Sequence, residues 1–327
     1  MPTIFTHNPD GTVSVREVDH INGYLLANGP DIYCEKRKNP LCEVPKMIKG
    51  SQPTDGGNLI IEAADYEDFI KREPAAQKYI RRFIGSEEFI NNKMRYCLWL
   101  VDCLPNELRK MPLVYKRVKA VKEFRLQSKK AQTRKFADKP TIFTEIRQPD
   151  NDYLCVPAVS SEKRRYIPIG WINKNIIASN LVSIIPNATP YLFGILTSDV
   201  HMAWMRVVAG RLGISYRYSG SLVYNCFPFL NATENERKKI ESTAQKILDA
   251  RAKFPESSLA DLYDEVSMPY ELRAAHVAND MAVRQAYGYP PMLSEEKIVI
   301  DLLYRYEALT KGGTLSRAAA LGKAKMI

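Results

Sequence analysis

Between residues 105 and 139 the sequence places twelve basic side chains (Arg109, Lys110, Lys116, Arg117, Lys119, Lys122, Arg125, Lys129, Lys130, Arg134, Lys135, Lys139) against three acidic ones (Glu107, Glu123, Asp138), a local surplus of nine. The whole chain has 47 Lys and Arg against 37 Asp and Glu, so this one segment holds nearly all of its net +10. A solvated helix face usually interleaves Glu with Lys four residues apart to relieve repulsion. Here residues 116–135 carry only Glu123. An external polyanion is the stabiliser such a surface calls for, and a nucleic-acid backbone supplies one. The expected phosphate-binding set is Lys116, Arg117, Lys119, Lys122, Arg125, Lys129, Lys130, Arg134 and Lys135, with Arg164 and Arg165 further along. Binding through such groups releases condensed counterions, so it is salt-sensitive and indifferent to base sequence.

Sequence preference needs side chains at base edges. The segment 211–220 (RLGISYRYSG) joins arginine and small hydroxyls to aromatic rings, which makes Ser215, Tyr216 and Arg217 candidate readers. The same Arg–Tyr alternation suits an ordinary amphipathic strand, and both readings stand at this point.

Other chemistries find little support. His7, His20, His201 and His276 include no pair at the i,i+4 spacing of a helical metal site, so no metal is expected. His201 sits among Met202, Trp204 and Met205 and reads as interior. Six scattered cysteines form no CxxC pair and read as free thiols in a reducing compartment. A magnesium nuclease would need a PD…(D/E)xK set. Pro149-Asp150 offers one half, but Glu236-Arg237-Lys238 and Glu295-Glu296-Lys297 fall in helical patterns far downstream. The Gly-rich loop at 48–58 lacks the GK[ST] ending of a P-loop. Neither a Gly-rich cofactor turn after a strand nor an Asp/Asn-Pro-Pro-aromatic loop for a flipped base is present; Tyr289-Pro290-Pro291-Met292 and Asn39-Pro40-Leu41 each hold only part of that loop. No catalytic residue and no bound cofactor are expected in this chain.

These residues need elements to carry them. At 327 residues, 45% hydrophobic and 26% charged, the composition is that of a folded protein of about two domains. No apolar run nears the roughly 18 residues of a membrane span, and the start lacks a signal peptide, so a cytoplasmic protein is expected. Residues 1–45 hold short strand-like pieces without a core of their own. From 66 to 104 the spacing of Phe69, Tyr79, Phe83, Ile84, Phe89, Ile90, Met94 and Leu98 is read as helical. Strands are expected at 141–146, 153–157, 166–172, 182–185 and 221–224, with a helical stretch from Tyr191 to Gly210 between the last two. After Pro228 four helices are expected. A capping box at Thr233/Glu236 opens the first, which runs to Ala252. The second spans 258–266, the third starts near Pro269 and reaches Tyr287, and the last ends at Gly312-Gly313. The fold class is therefore α/β (α+β) followed by a small all-α domain: 1–45 a connector, 46–230 the reading domain, 231–327 helical.

Four long blocks carry a resemblance. They are 45–58 (PKMIKGSQPTDGGN), 79–100 (YIRRFIGSEEFINNKMRYCLWL), 191–229 (YLFGILTSDVHMAWMRVVAGRLGISYRYSGSLVYNCFPF) and 258–288 (SLADLYDEVSMPYELRAAHVANDMAVRQAYG). In these the chain resembles the C-terminal half of MmeI-like type IIL restriction-modification enzymes, which join a SAM-dependent adenine-N6 DNA methyltransferase to a target recognition domain. The resemblance implies that 46–230 is the target recognition domain and that the helical domain after it also touches DNA. Residues 1–45 would be the connector or tail of a methyltransferase domain. Double-stranded DNA and that methyltransferase domain or subunit would be the partners. SAM, with Mg if the parent cleaves DNA, would belong to the parent enzyme. The resemblance also places base-reading positions at Asn180, Leu181, Gly213 and Ser215. Other members often carry charged side chains at the last two, so the base there is expected to be read through water or by Arg217. A stand-alone nuclease with unrecognised carboxylates and a non-enzymatic interaction protein are the competing readings.

Overall fold

The structure, a computed structural model, describes residues 1–7 and 10–312. Strands β1 (Thr3–His7) and β2 (Val13–Glu17) form an antiparallel hairpin in which Phe5 faces Val15. Arg16 ties it to Glu296 at 2.9 Å. The next thirty residues are irregular yet fixed. Buried Asn22 accepts the Tyr24 and Leu26 N–H groups through Oδ1 and donates to the Pro30 carbonyl. Further on, the Arg37 N–H donates to Ser221 O and the Leu41 N–H to Asn225 O, which lays this segment along the 219–225 turn.

Strand β3 (Ile48–Lys49) leads through the glycine-rich loop to β4 (Ile60–Glu62), helix α1 (Ala63–Arg72) and a 3-10 turn at Pro74–Tyr79. Then come β5 (Ile80–Ile84), α2 (Ser86–Ile90) and β6 (Arg95–Leu98). The helical reading of 66–104 is thus corrected over 80–84 and 95–98. Phe83 and Ile84 are consecutive apolar residues because β5 is a central strand buried on both faces, and such a run coincides with helical spacing over one turn. Helices α3 (Pro105–Arg109), α4 (Pro112–Leu126) and α5 (Ala131–Lys135) follow.

Beyond them lie β7 (Tyr153–Pro157), β8 (Val159–Ser160), β9 (Gly170–Ile172), β10 (Ile177–Ala178) and β11 (Val182–Ile185). Two four-stranded sheets result, in the orders β10-β5-β6-β4 and β3-β11-β7-β9. Strand β7 shows how a continuous apolar run is partitioned. Tyr153 and Cys155 pack with Ile84, Val182 and Ile184, while Leu154 and Val156 pack with the large helical core on the other side. The strand expected at 141–146 contributes only a bridge between Gln52 and Glu145. Its chain bends around the Arg125 guanidinium, which draws in the Phe136, Lys139 and Ile142 carbonyls and leaves them unavailable to a ladder. Of 166–172, only residues 170–172 pair.

Helices α6 (Pro190–Leu196) and α7 (Asp199–Val208) are capped by Thr189 and Ser198 and are almost wholly buried. They lead into the hairpin of β12 (Gly210–Leu212) and β13 (Ser215–Arg217), whose second strand pairs with β8. Residues 220–224 form a wide helical turn rather than the expected strand. The Asn225 N–H donates to Gly220 O across it, and the turn presents Val223 O to the Trp204 indole N–H at 3.0 Å.

The C-terminal helices are α8 (Glu234–Ala252), α9 (Leu259–Leu262), α10 (Tyr270–Tyr287) and α11 (Glu295–Thr310). Thr233/Glu236 and Ser258/Asp261 form capping boxes, and Pro269 stands at the α10 N-cap. Gly313 and the residues after it, where the last helix was expected to end, lie outside the described residues. The hydrophobic residues of α8, α10 and α11 share one core with α6, α7 and the inner face of β7. Buried polar contacts cross the same junction: Asn279 donates to Gly194 O at 2.8 Å and Tyr166 to Asp280 at 2.6 Å. The fold is α+β with a helical C-terminal region, and no described helix is long and apolar enough to cross a membrane.

Candidate nucleic-acid interface

Helix α4 positions the basic face. Val114, Val118, Val121 and Arg125 recur at spacings of four, three and four, and all are buried. The three valines pack against Leu59, Ile61, Phe69 and Cys97. The opposite side carries Lys116, Lys119 and Lys122, exposed, and Lys129, Lys130 and Lys135 continue exposed through α5. Among the described residues, none of the basic groups from 105 to 139 makes an ion pair. Lys119 lies over the Tyr115 ring.

Three arginines of the expected phosphate set are engaged elsewhere, and one is corrected outright. Arg125 is fully buried and donates to five carbonyls: Pro53, Thr54, Phe136, Lys139 and Ile142, at 2.8–3.0 Å. It clamps the loops that flank α4 and has no face to offer a phosphate. Arg117 reaches the Asn58 and Ile60 carbonyls, and Arg134 the Ser128 and Lys129 carbonyls. Arg165 lies in a different place, a notch of about 290 Å³ shared with Arg206, Arg284, Asp199 and Glu295. Arg164 is partly buried.

A cleft of about 900 Å³ is lined by three of the base-reading candidates, Asn180, Leu181 and Arg217, whereas Gly213, Ser215 and Tyr216 are not among its lining residues. Its lining includes Asn180 and Leu181 from the β10–β11 turn and Leu212 and Arg217 from the β12–β13 hairpin. Around them stand Arg37 and Lys38 from the N-terminal segment, Lys49 from β3, Arg95 from β6, and Ser86, Glu87 and Glu88 from α2. Glu88 is committed to the Gly85 N–H and to Arg95, and Glu87 to Lys93, which leaves Arg37, Lys38, Lys49 and Arg217 as the charges of the lining without an ion pair among the described residues.

The backbone under the readers is pinned from three sides. Asn180 N–H donates to Ser51 O at 2.9 Å, Ser179 N–H to Ile84 O at 2.8 Å, and Ser86 Oγ to Leu181 O at 3.0 Å. The Asn180 carboxamide itself has no hydrogen bond among the described residues, and neither has the Arg217 guanidinium. Free amide and guanidinium groups on a rigid backbone are the arrangement that bidentate recognition of adenine and guanine edges requires.

Cross-strand register assigns the hairpin's two faces. Arg211 pairs with Tyr216, Leu212 with Ser215, and Gly210 with Arg217. Partners in a ladder share a face and neighbours alternate, so Leu212, Ser215 and Arg217 lie on one side and Arg211 and Tyr216 on the other. Tyr216 is buried in the main core with Arg211 at 3.9 Å over its ring. Its expected role as a base reader is therefore corrected: it anchors the hairpin. Gly213 opens the two-residue turn at φ +60, a conformation glycine adopts without strain, and it meets open space. It brings no side chain to the cleft. Arg37, Lys38, Lys49 and Arg95 are lining residues that sequence reasoning did not single out. Their convergence depends on contacts across more than a hundred residues.

Carboxylates and histidines serve the fold. Glu236 closes the α8 cap, Glu295 pairs with Arg206 and Glu296 with Arg16, and Asp150 is exposed on a turn. His201 is buried, held to about 3 by desolvation and hence neutral, with Nε2 2.9 Å from Tyr218 Oη. No group of three or more potential ligands that could hold a metal occurs among the described residues. The glycine-rich loop does not fit SAM either. Gly56 and Gly57 join strand β3 to strand β4 instead of a strand to a helix, and the space left by the missing Gly56 Cβ is filled by the Phe124 ring at 2.7 Å.

The family described as "MmeI, target recognition domain" matches residues 28–231, and "MmeI, C-terminal domain" matches 232–313. DNA methyltransferase A of Bacillus subtilis (strain 168) is 38% identical over 294 residues, which are 90% of this chain and 33% of that protein. A solved structure of the type IIL restriction-modification enzyme MmeI in complex with DNA superposes with a TM-score of 0.87 at 45% identity, covering 92% of this chain and 40% of that one. This chain thus spans well under half the length of either relative. It belongs to the MmeI family, matching that family's target recognition domain and C-terminal domain.

Proposed function

We propose that this chain reads a target sequence in double-stranded DNA on behalf of a SAM-dependent adenine-N6 DNA methyltransferase of a restriction-modification system. It contains no catalytic set of its own in this reading. Methyl transfer, SAM binding and extrusion of the target base fall to a methyltransferase domain or subunit with which it assembles. The cleft carries the proposal: it sets the unpartnered Asn180 and Arg217 side chains on pinned backbone inside a basic lining. The lysines of α4 and α5 then hold phosphates, and the strand-rich part lies in the major groove with the helical part closing the other side. The relatives support this, since one is a DNA methyltransferase and another was solved with DNA bound.

Selection from a randomised duplex pool, followed by salt titration of the retained DNA, tests the proposal. A shared sequence is expected to be enriched, and affinity should fall by about 10³ or more between 50 and 200 mM salt if six or more phosphates are contacted. Folded protein that retains no duplex at low ionic strength, or retains all duplexes alike, would refute it. Magnesium-dependent cleavage of DNA by this chain alone would favour the nuclease reading instead.

A further inference from the structure

We propose that Leu212 is a specificity-determining residue that recognises the C5-methyl group of a thymine in the target. The inference rests on the DNA-reading function above and names one of its contacts.

Leu212 is 59% exposed and belongs to none of the hydrophobic clusters among the described residues. A single exposed leucine is unremarkable on a soluble protein. This one lies on the lining of a cleft that mixes the basic side chains Arg37, Lys38, Lys49 and Arg217 with apolar ones such as Met47 and Val159, and where Leu181 is also 58% exposed. Strand pairing puts it on the same hairpin face as Ser215 and Arg217, opposite the face anchored by Tyr216. The major groove admits a two-stranded ribbon, and β12–β13 forms the open edge of a three-stranded sheet that β8 completes on the other side. The face it presents there combines hydrogen-bonding groups with one aliphatic side chain. Base edges in that groove offer donors, acceptors and a single apolar group, the thymine methyl. Leu212 has no use for the donors and acceptors, and contact with the methyl removes both apolar surfaces from water. The basic side chains of the lining, Arg37, Lys38, Lys49 and Arg217, would bring a duplex to this face through its phosphates.

Deoxyuridine tests this directly, because it differs from thymine only by that methyl. The selected duplex is remade with uracil replacing thymine at one position at a time in either strand, and binding of the full chain is titrated for each. At one A·T pair the uracil duplex is expected to bind about three- to tenfold more weakly, the effect of one or two buried methyl-sized groups. Leu212→Ala, at an exposed position that leaves folding intact, should weaken the thymine duplex by a similar factor and show no further loss with uracil there. Specific binding that is indifferent to uracil at every position would overturn the proposal while sparing the DNA-reading function. So would a Leu212→Ala protein that still discriminates thymine from uracil at that pair, or one that loses affinity for both duplexes equally. Failure to enrich any sequence would overturn both.

Discussion

The Tyr166 hydroxyl donates to Asp280 Oδ2 at 2.6 Å, while Oδ1 of the same carboxylate accepts the Asp199 N–H at 2.8 Å. Three chain segments thus meet at one buried acid on α10. Burial, and then the negative charge of Asp199, push the Asp280 carboxyl up to about 7 from its ordinary value near 3.8, with the hydrogen bonds from Tyr166 and the Asp199 N–H, and then Arg165, opposing. The neighbouring His276 is stacked on Tyr166 and kept neutral by burial. Between about pH 4 and 7 the native state therefore holds a proton that the unfolded chain has released, so this group makes stability fall as pH rises through that window. In Asp280→Asn the amide can donate to Tyr166 Oη and still accept from Asp199. Urea titrations across pH 4–8 should show a flatter profile for this variant and greater stability than wild type at pH 8, on the order of 1–3 kcal/mol. Parallel profiles would contradict the assignment.

Arg125 is expected to matter for folding and not for DNA. Its removal leaves five carbonyls around an unfilled buried space, and each buried acceptor without a partner costs about 1–3 kcal/mol. Arg125→Ala should lose about 3 kcal/mol or more in urea denaturation. Lys122→Ala, three residues away and exposed, should stay within about 0.5 kcal/mol of wild type. Equal stability of the two variants would show that the carbonyl clamp contributes little.

The triple variant Lys116→Ala, Lys119→Ala, Lys122→Ala probes the phosphate face. These side chains are exposed and, among the described residues, without carboxylate partners, so the fold should survive. If each holds one phosphate, the slope of log K against log salt should flatten by about one per lysine removed. Target and non-target duplexes should weaken alike. A loss confined to the target sequence would place these lysines at base edges.

Local features were legible in the sequence wherever short-range chemistry decides them. Thr233 with Glu236 marks the start of α8, and Pro269 marks the start of α10. What escaped depends on which face a residue occupies. Arg125 looks like its basic neighbours until it is counted from Val114, Val118 and Val121, whose spacing puts it on the buried stripe. Tyr216 alternates with Arg217 in a strand, so the two cannot line one surface, yet composition alone groups them as readers. Asn180 and Leu181 were reached through family resemblance and not from spacing. The approach of Arg37 and Lys38 to Asn180 follows from the chain lying along the 219–225 turn, a non-local contact that leaves no periodic trace.

Arg217 and Asn180 should behave in the opposite way to the α4 lysines. Each side chain is without a hydrogen-bond partner among the described residues, and each backbone is held, Arg217 by pairing with Gly210 and Val159 and Asn180 by Ser51 and its neighbours. A guanidinium placed so can make two hydrogen bonds to guanine O6 and N7, and a carboxamide can do the same at adenine N6 and N7. Truncation removes both bonds together at a single base pair and leaves the phosphate contacts in place. Arg217→Ala is therefore expected to lose about 1–3 kcal/mol of discrimination at one position, with the other positions of the selected sequence unchanged and the salt slope altered by no more than about one. Asn180→Ala should do so at a different position. Competition binding with single-base-pair variants of the target measures both. If either variant weakens all duplexes by the same factor, that side chain grips the backbone, and the cleft's reading role rests on the remaining residues.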